Sequence, residues 1–440
     1  MTSVDDSPER AEHPGRAVRP DRGGRTGPPS GRTAQALRDL RGLAPLTQLL
    51  IGSQFAFNVG FFAVLPYLAD HLGGGLGLAG WLVGLVLGLR TFSQQGLFVV
   101  GGTLTDRFGA RPVVLVGCAL RIAGFCWLGF AADTASVIAS VLLVGFAAAL
   151  FSPAVETEIV RQAVRHERTS GTHRTRVLAL FSVAGQAGTL VGPLLGALLL
   201  LGGFRAACLV GAAVFALVLA GHLRLMPRGT PDGAPGTDPG EGRPRLREGV
   251  RLLLGDRRFL GLCLAYSGYL LAYNQLYLAL PGEVERATGS QAALGWLLAW
   301  ASVLYIAVQF PVLSWAATRL TRRATLVCGL LLISLGFASA AVLTPVDALG
   351  GLLPSVAFVT ALTLGQVLIV PTVRAWLPDL VDDSRLGLFT GALSSLSGLV
   401  VLLGSVPAGA VLDLGGPAPW LLLAAVPLAA AALVPRGDRR

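Results

Sequence analysis

The sequence is dominated by apolar stretches of about 20 residues that are separated by short polar segments. A helix of about 20 residues spans the ~30 Å hydrocarbon core of a membrane. Because the backbone groups of a crossing segment must be paired within the protein, such stretches fold as helices. We predict twelve of them, at residues 44–68, 80–104, 112–131, 135–157, 176–200, 204–224, 258–280, 292–316, 324–343, 348–373, 385–411 and 419–435.

Composition supports a membrane protein, with 53% apolar and 14% charged residues, where a soluble domain has about 25% charged residues. The net charge of +10 does not indicate nucleic-acid binding, because the basic residues, all arginine, fall in alternate loops. With the N-terminus inside, the outer loops carry only Arg205 and Arg286, and Arg90 and Arg121 lie within spans. The other 31 arginines lie at or near the inner side, which predicts a multi-pass plasma-membrane protein with both termini in the cytoplasm.

Polar segments divide the chain into two halves. Residues 1–43 are predicted to form a disordered cytoplasmic tail, because they are rich in Arg, Pro and Gly and carry no apolar core. Residues 226–257 are a polar linker between two six-helix bundles, 44–225 and 258–435, and residues 436–440 form a second cytoplasmic tail.

The two halves resemble each other. The matching segments are separated by 215, 212 and 218 residues, and nearly constant offsets indicate two parallel six-helix repeats with a binding cavity between them. The pairs are 65–66 with 280–281, 106–111 with 318–323, and 153–156 with 371–374.

The most specific motif runs from Gly101 to Pro112, Gly-Gly-Thr-Leu-Thr-Asp-Arg-Phe-Gly-Ala-Arg-Pro, and resembles the signature loop of the major facilitator superfamily. Gly102 is expected to let the second helix approach a neighbouring backbone, and Asp106 to contact the start of the eleventh helix near residues 384–385. The alternative is a plain basic turn. The candidate residues of a conformational switch are Gly102, Asp106, Arg107, Gly109 and Arg111.

The fifth span carries Gly188, Gly192, Pro193 and Gly196. This pattern resembles the Gly-Pro motif of the drug:proton antiporter branch, with Ala197 in place of the last glycine. Glycines at four-residue spacing form one smooth face for close helix packing, and a proline can kink the helix. Ordinary small-residue packing is the alternative.

The resemblance to multidrug-resistance exporters of the MdtH type covers most of residues 45–430. It includes residues 84–96, 121–125, 247–259 and 413–415. This resemblance implies efflux of amphipathic drugs, in exchange for protons.

Polar side chains within the spans are candidates for the substrate cavity, since a charge at mid-bilayer costs at least about 2.5–3.5 kcal/mol. The tyrosines of the seventh span share a sector of about 80°, which suits a flat amphipathic substrate. Helix packing is the alternative for Arg90, and lipid-facing packing for the tyrosines. The cavity candidates are Gln54, Asn58, Arg90, Gln94, Tyr266, Tyr269, Tyr273, Asn274 and Trp300.

No Asp or Glu lies deep within any predicted span. Glu156 and Arg374, at equivalent places in the two repeats, are the candidates for proton coupling or for a gate, unless both simply mark the membrane edge. A uniporter therefore stays an alternative.

The sequence contains no catalytic constellation, phosphate-binding loop or metal-ligand cluster, so neither an enzyme nor a cofactor is predicted. We predict an all-α membrane protein with twelve transmembrane helices in two pseudo-symmetric six-helix bundles, the major facilitator fold. The expected function is export of a small amphipathic molecule, with protons and the lipid bilayer as partners, by a monomer that binds no nucleic acid. An uptake transporter or uniporter for a small metabolite, or a non-transporting membrane sensor, is the alternative.

Overall fold

The computed structural model describes residues 40–170, 173–227, 255–346, 348–380 and 386–435. Most of the predicted tails and of the predicted linker therefore lie outside the described residues. Within these ranges the chain is helical and contains no strand. The twelve long helices are α1 Pro45–Gly75, α2 Gly80–Phe108, α3 Ala110–Phe130, α4 Thr134–Ser170, α5 Arg174–Gly202, α6 Phe204–Leu225, α7 Arg257–Leu278, α8 Ala292–Arg319, α9 Arg322–Leu343, α10 Leu353–Leu380, α11 Leu386–Leu412 and α12 Ala418–Leu433.

Ten of these described helices, α1–α6 and α8–α11, are long and apolar enough to cross a membrane. The other two depart from this pattern for different reasons. Helix α12 has only 16 residues, and α7 is less apolar because it carries four tyrosines together with Asn274 and Gln275. The chain is thus an all-α multi-pass membrane protein.

Two helices are interrupted near the places where the halves meet. Regular α-helix in α1 ends at Phe62, and a tight turn at Leu65–Tyr67, which contains Pro66, follows it. Helix α2 is broken between Gln95 and Phe98. A proline lacks the amide hydrogen that helix continuation requires, which accounts for the break in α1.

Helix α4 is longer than the sequence predicts. It continues to Ser170, whereas hydropathy predicts a span that ends at residue 157. In the extension Glu158 accepts a hydrogen bond from Gln162 at 2.7 Å and lies 3.8 Å from Arg161. Hydropathy marks the part of a helix that lies in lipid, and local polar pairs of this kind extend it into water.

The core of the first half is an aromatic cluster around Arg121, whose side chain is 1% exposed. Its guanidinium lies 4.8–5.2 Å from the ring centroids of four phenylalanines, and its Nη1 donates to the Val144 carbonyl at 2.9 Å. Cation–π contacts offset part of the cost of burying the charge. Arg121 is therefore a packing residue. The rings belong to Phe57, Phe61, Phe125 and Phe215.

The ends of the bundle differ in charge. One end carries the α2–α3, α4–α5 and α8–α9 connections with their arginines, together with Arg374 of α10, and we call it the basic end. The opposite end carries acidic residues at the α1–α2, α7–α8 and α11–α12 connections, among them Asp70, Glu285 and Asp413.

The most extensive contact between the halves is made by α2 with α11. A Cβ atom at Gly84 would lie 2.1 Å from the Ser405 carbonyl oxygen, and one at Gly88 would lie 3.0 Å from the Leu402 Cα. Only residues without a side chain allow the two backbones to approach this closely.

The sequence assigns a close helix approach to Gly102, but the structure places it at Gly101. A Cβ atom at Gly101 would lie 1.9 Å from the Ala149 carbonyl oxygen of α4, whereas one at Gly102 would meet open space. Helix rotation decides which of two adjacent glycines faces the neighbour, and the sequence alone does not fix that rotation.

We expect Gly101→Ala to lower the melting temperature of the detergent-solubilised protein, because α2 must move away from α4. Overpacking of this kind costs about 1–3 kcal/mol. The matched control is Gly102→Ala, which should melt like the wild type. Equal melting temperatures for the two variants would show that the α2–α4 contact does not depend on Gly101.

Candidate substrate cavity

A cavity of about 670 Å³ lies between the two halves. The first half contributes residues of α1 and α5, and the second half contributes residues of α7, α8 and α10. Its lining consists of Phe62, Ser182, Gln186, Thr189, Pro193, Tyr273, Leu276, Tyr277, Leu298, Ala301, Ser302, Tyr305, Gln309, Thr363, Gln366, Val370, Pro371, Arg374 and Ala375.

The cavity opens at the basic end, where its lining residues Arg374 and Ala375 are exposed. Toward the opposite end, the halves close over it. The Tyr67 hydroxyl donates to the Pro193 carbonyl at 2.6 Å, and a Cβ atom at Gly295 of α8 would lie 2.9 Å from the same carbonyl oxygen. Pro66 breaks α1 directly before Tyr67, and the Tyr67 side chain joins α1 to α5.

A second contact closes the opposite end nearer to the surface. The carboxyl groups of Asp70 and Glu285, one from each half, lie beside each other, and Gln291 Nε2 donates to Glu285 Oε2 at 3.1 Å. Nearby, Arg286 Nε donates to Glu283 Oε2 at 3.1 Å, and this bond raises the pKa of Arg286. The conformation is thus open at the basic end and closed at the other.

The tyrosines of α7 form a continuous ladder. Successive ring centroids are 5.6, 5.9 and 5.8 Å apart from Tyr266 through Tyr269 and Tyr273 to Tyr277, and the Tyr277 hydroxyl donates to that of Tyr273 at 3.2 Å. Tyr273 and Tyr277 line the cavity, whereas Tyr266 and Tyr269 lie outside its lining. Tyr269 is buried against both neighbouring rings, so it supports the wall instead of facing the cavity.

Arg90 lies behind this wall and not in the cavity lining, contrary to expectation. Its side chain is 7% exposed, its guanidinium lies 4.4 Å from the Phe61 ring centroid, and it donates to Gln94 and Thr91. It interacts electrostatically with the hydroxyls of Tyr273 and Tyr277. Gln94, as its partner, is held away from the cavity as well.

Four other cavity candidates lie outside the lining. Gln54 and Asn58 sit at the α1–α5 contact beside Gly185. Asn274 accepts from Thr91 at 3.3 Å and donates to Ser405 at 3.1 Å, so it joins α7 to α2 and α11. Trp300 is 45% exposed on α8 and donates to Thr360 at 3.0 Å.

Sequence reasoning missed most of the polar lining. Gln186, Gln309 and Gln366 each lie within a predicted span, together with Tyr305 and several hydroxyl side chains. These glutamines could have been recognised from the sequence. An uncharged amide within an apolar stretch is also costly to bury unless it hydrogen-bonds a partner or faces water. The amides that the sequence analysis named lie on the first, second and seventh spans, whereas these three lie on the fifth, eighth and tenth.

The glycines of α5 form a row against α1. A Cβ atom would lie 2.6 Å from the Phe55 carbonyl oxygen at Gly188, 2.7 Å from Phe62 Cβ at Gly192, and 2.4 Å from the Ala63 carbonyl oxygen at Gly196. Pro193, between two of them, presents its carbonyl to Tyr67. The row and the proline therefore serve the same α1–α5 contact.

The signature loop lies at the basic end. Gly109 joins α2 to α3 with a φ of 83°, a value that favours glycine, and Arg111 Nη2 donates to the Leu223 carbonyl at the end of α6, at 3.3 Å. Asp106 and Arg107 are exposed. The expected partner of Asp106, near residues 384–385, lies outside the described residues.

Glu156 of α4 lies outside the cavity lining, within electrostatic range of Arg374, which lines it. Both are exposed and they interact electrostatically, but among the described ion pairs none joins them. The mouth is open in this conformation, which is consistent with the separation of the two side chains.

Comparison with known proteins gives three findings. The model of the Major Facilitator Superfamily matches residues 49–286 and 262–437. An uncharacterized MFS-type transporter of Mycobacterium tuberculosis is 33% identical over 85% of the chain and 87% of its own length. Multidrug resistance protein MdtH of Salmonella typhimurium is 31% identical over 83% of the chain and 87% of its own length.

Solved structures share the fold. Nucleoside transporter NupG matches with a TM-score of 0.71 at 13% identity, over 88% of this chain and 97% of its own. Peptide transporter POT in complex with sulfate matches with a TM-score of 0.72 at 16% identity, over 88% of this chain and 93% of its own.

We expect Tyr273→Ala and Tyr269→Ala to change substrate preference more than protein level, with the larger effect at Tyr273 because its ring lines the cavity. A lost aromatic contact removes about 0.5–1.5 kcal/mol, a change of roughly two- to tenfold. Binding of a panel of amphipathic dyes to the purified variants measures this.

The matched control is Trp300→Ala, which removes an aromatic ring outside the cavity and should leave the preference unchanged. Equal losses for every dye, in parallel with lost protein, would instead assign the tyrosines to packing.

Proposed function

The chain belongs to the major facilitator superfamily of transporters, and on this premise we propose that it exports small amphipathic compounds across the plasma membrane in exchange for protons. The observation that carries this proposal is the cavity between the halves, open at one end and closed at the other. Alternating access requires such a cavity, which the two halves expose to each side in turn. The name of one relative, multidrug resistance protein MdtH, supports export as the direction of transport and drugs as the class of substrate.

The distribution of arginine supports placing the basic end, and with it both termini, in the cytoplasm. The open mouth then faces the cytoplasm, so the described conformation is the one in which an exporter loads its substrate. Release to the outside requires the contacts that join the halves at the closed end, Gly295 with Pro193 and Asp70 with Glu285, to break, and the mouth at the basic end to close.

The signature loop is proposed to govern this change. Gly109 and Arg111 fix the turn between α2 and α3, and Asp106 is placed at the basic end of α2, the helix that makes the most extensive contact with the other half. Gly102 and Arg107 complete the proposed switch. The glycine row of α5 is proposed to keep α1 and α5 together as one rigid unit.

Proton coupling is proposed to act at the mouth. Glu156 lies beside Arg374, and neutralising its carboxylate would remove the attraction that closes the mouth. A uniporter is the second candidate, because the described cavity lining contains no carboxylate that could carry the coupled proton.

Inverted membrane vesicles, whose cytoplasmic face is outward, test direction and coupling together. An acid interior should drive accumulation of an amphipathic dye, and collapse of the pH gradient should release it. Vesicles without the protein are the control. A dye that equilibrates without accumulating would assign the protein to the uniporters and reject proton exchange.

A charge swap tests the gate. Glu156→Arg and Arg374→Glu should each impair transport, because each places like charges across the closing mouth, and the double variant should recover part of the loss. A partly desolvated pair contributes a few kcal/mol at most, and an exposed one contributes ~0–1 kcal/mol. If the double variant transports no better than the worse single variant, the two residues do not form a gate.

A further inference from the structure

The cavity lining is unbalanced in charge. Among its described residues Arg374 is the only charged one, and none is acidic. The remaining polar groups are amides and hydroxyls, which adapt to either a donor or an acceptor. The fixed charge therefore determines which kind of ligand the cavity attracts.

A second positive charge acts from behind the wall. Arg90 is buried and interacts with the hydroxyls of Tyr273 and Tyr277. A cation orients neighbouring hydroxyl dipoles with their oxygens toward it and their hydrogens away. The hydroxyls of Tyr273 and Tyr277 lie 3.2 Å apart and share one hydrogen bond, so one of their two hydrogens is left for the cavity that both residues line. In a water-poor site such oriented donors attract negative charge.

Among the described lining residues, no acidic side chain balances these positive charges. Glu156, beside the mouth, is the acidic residue that interacts with Arg374, and no ion pair joins them in this open conformation. The Arg374 guanidinium is exposed and available to a ligand that enters from the basic end.

We propose that the transported compound is an amphipathic organic anion, whose carboxylate or comparable oxyanion binds Arg374 while its apolar body lies against Phe62 and Leu298. This inference rests on the proposed export function and names its substrate class. Arginine suits the role because its planar fork of donors matches the oxygens of a carboxylate.

Export of an anion has an energetic consequence. The interior of a cell is negative, so an anion that leaves and a proton that enters both move in the direction that the membrane potential favours. An exported cation would move against this potential. Export of an anion therefore needs less energy from proton exchange than export of a cation does. This suits a chain that has no carboxylate deep within its predicted spans.

The test uses three probes with the same ring system: 2-naphthylacetate, the neutral 2-naphthylacetamide and the cationic 2-naphthylethylamine. Equilibrium binding to the purified full-length protein is measured without any gradient. We expect the carboxylate to bind about tenfold more tightly than the amide, and the amine to bind most weakly. Binding of the amine as tightly as the carboxylate would overturn the proposal.

Variants locate the interaction. Arg374→Gln should weaken carboxylate binding about tenfold and leave amide binding unchanged, which also shows that the variant is folded, and Arg374→Lys should retain part of the preference. Glu156→Gln should strengthen carboxylate binding, because a competing anion is removed. The matched control is Arg319→Gln, an exposed arginine of α8 outside the lining. Equal weakening of all three probes by Arg374→Gln would reject the anion site.

Transport of the same probes separates this proposal from export itself. Selective carboxylate binding without gradient-driven accumulation in inverted vesicles would refute export and keep the anion site. Accumulation of the amine but not of the carboxylate would keep export and refute the anion site.

Discussion

Close contact between helix backbones is the interaction on which the rest of this structure depends. Lipid tails are as apolar as leucine, so burial of apolar surface does not by itself hold membrane helices together, and packing must do so. Glycines supply that packing at three places: α2 against α11 at Gly84, α5 against α1 at Gly192, and α2 against α4 at Gly101. The first contact joins the halves, and the second builds one wall of the cavity.

The closed end and the open end of the cavity are held by different forces. The closed end combines the close approach of Gly295 to the Pro193 carbonyl, which Tyr67 bonds within the first half, with the contact of Asp70 and Glu285. The open end presents exposed charges, Glu156 and Arg374, without such contacts. A transporter that works by alternating access must break the contacts of the closed end and form contacts at the open end. Because each end has few such contacts, binding of a substrate or a proton can shift the equilibrium between the two conformations.

Two buried arginines show how the chain places charge in a low-dielectric core without nearby acids. Arg121 is surrounded by phenylalanine rings, and Arg90 lies over Phe61 and bonds Gln94. The aromatic faces supply negative potential in place of a carboxylate. Arg121 packs within the core of the first half, whereas Arg90 lies near Tyr273 and Tyr277, which line the cavity.

The sequence by itself determined the fold class, since twelve apolar stretches in lipid must be helices, and the repeat offsets with the signature loop indicated the family that the comparisons establish. It also placed a cavity between the halves and named Tyr273, which lines it; Arg374, which lines it as well, was predicted only as a coupling or gate residue. It did not determine which side chains face that cavity: Arg90, Asn274 and Trp300 point elsewhere, Gln186 was missed, and Gly101 takes the contact expected of Gly102. Only the tertiary structure decided these points, because hydropathy fixes how long a helix lies in the membrane, whereas its rotation is set by the neighbours against which it packs.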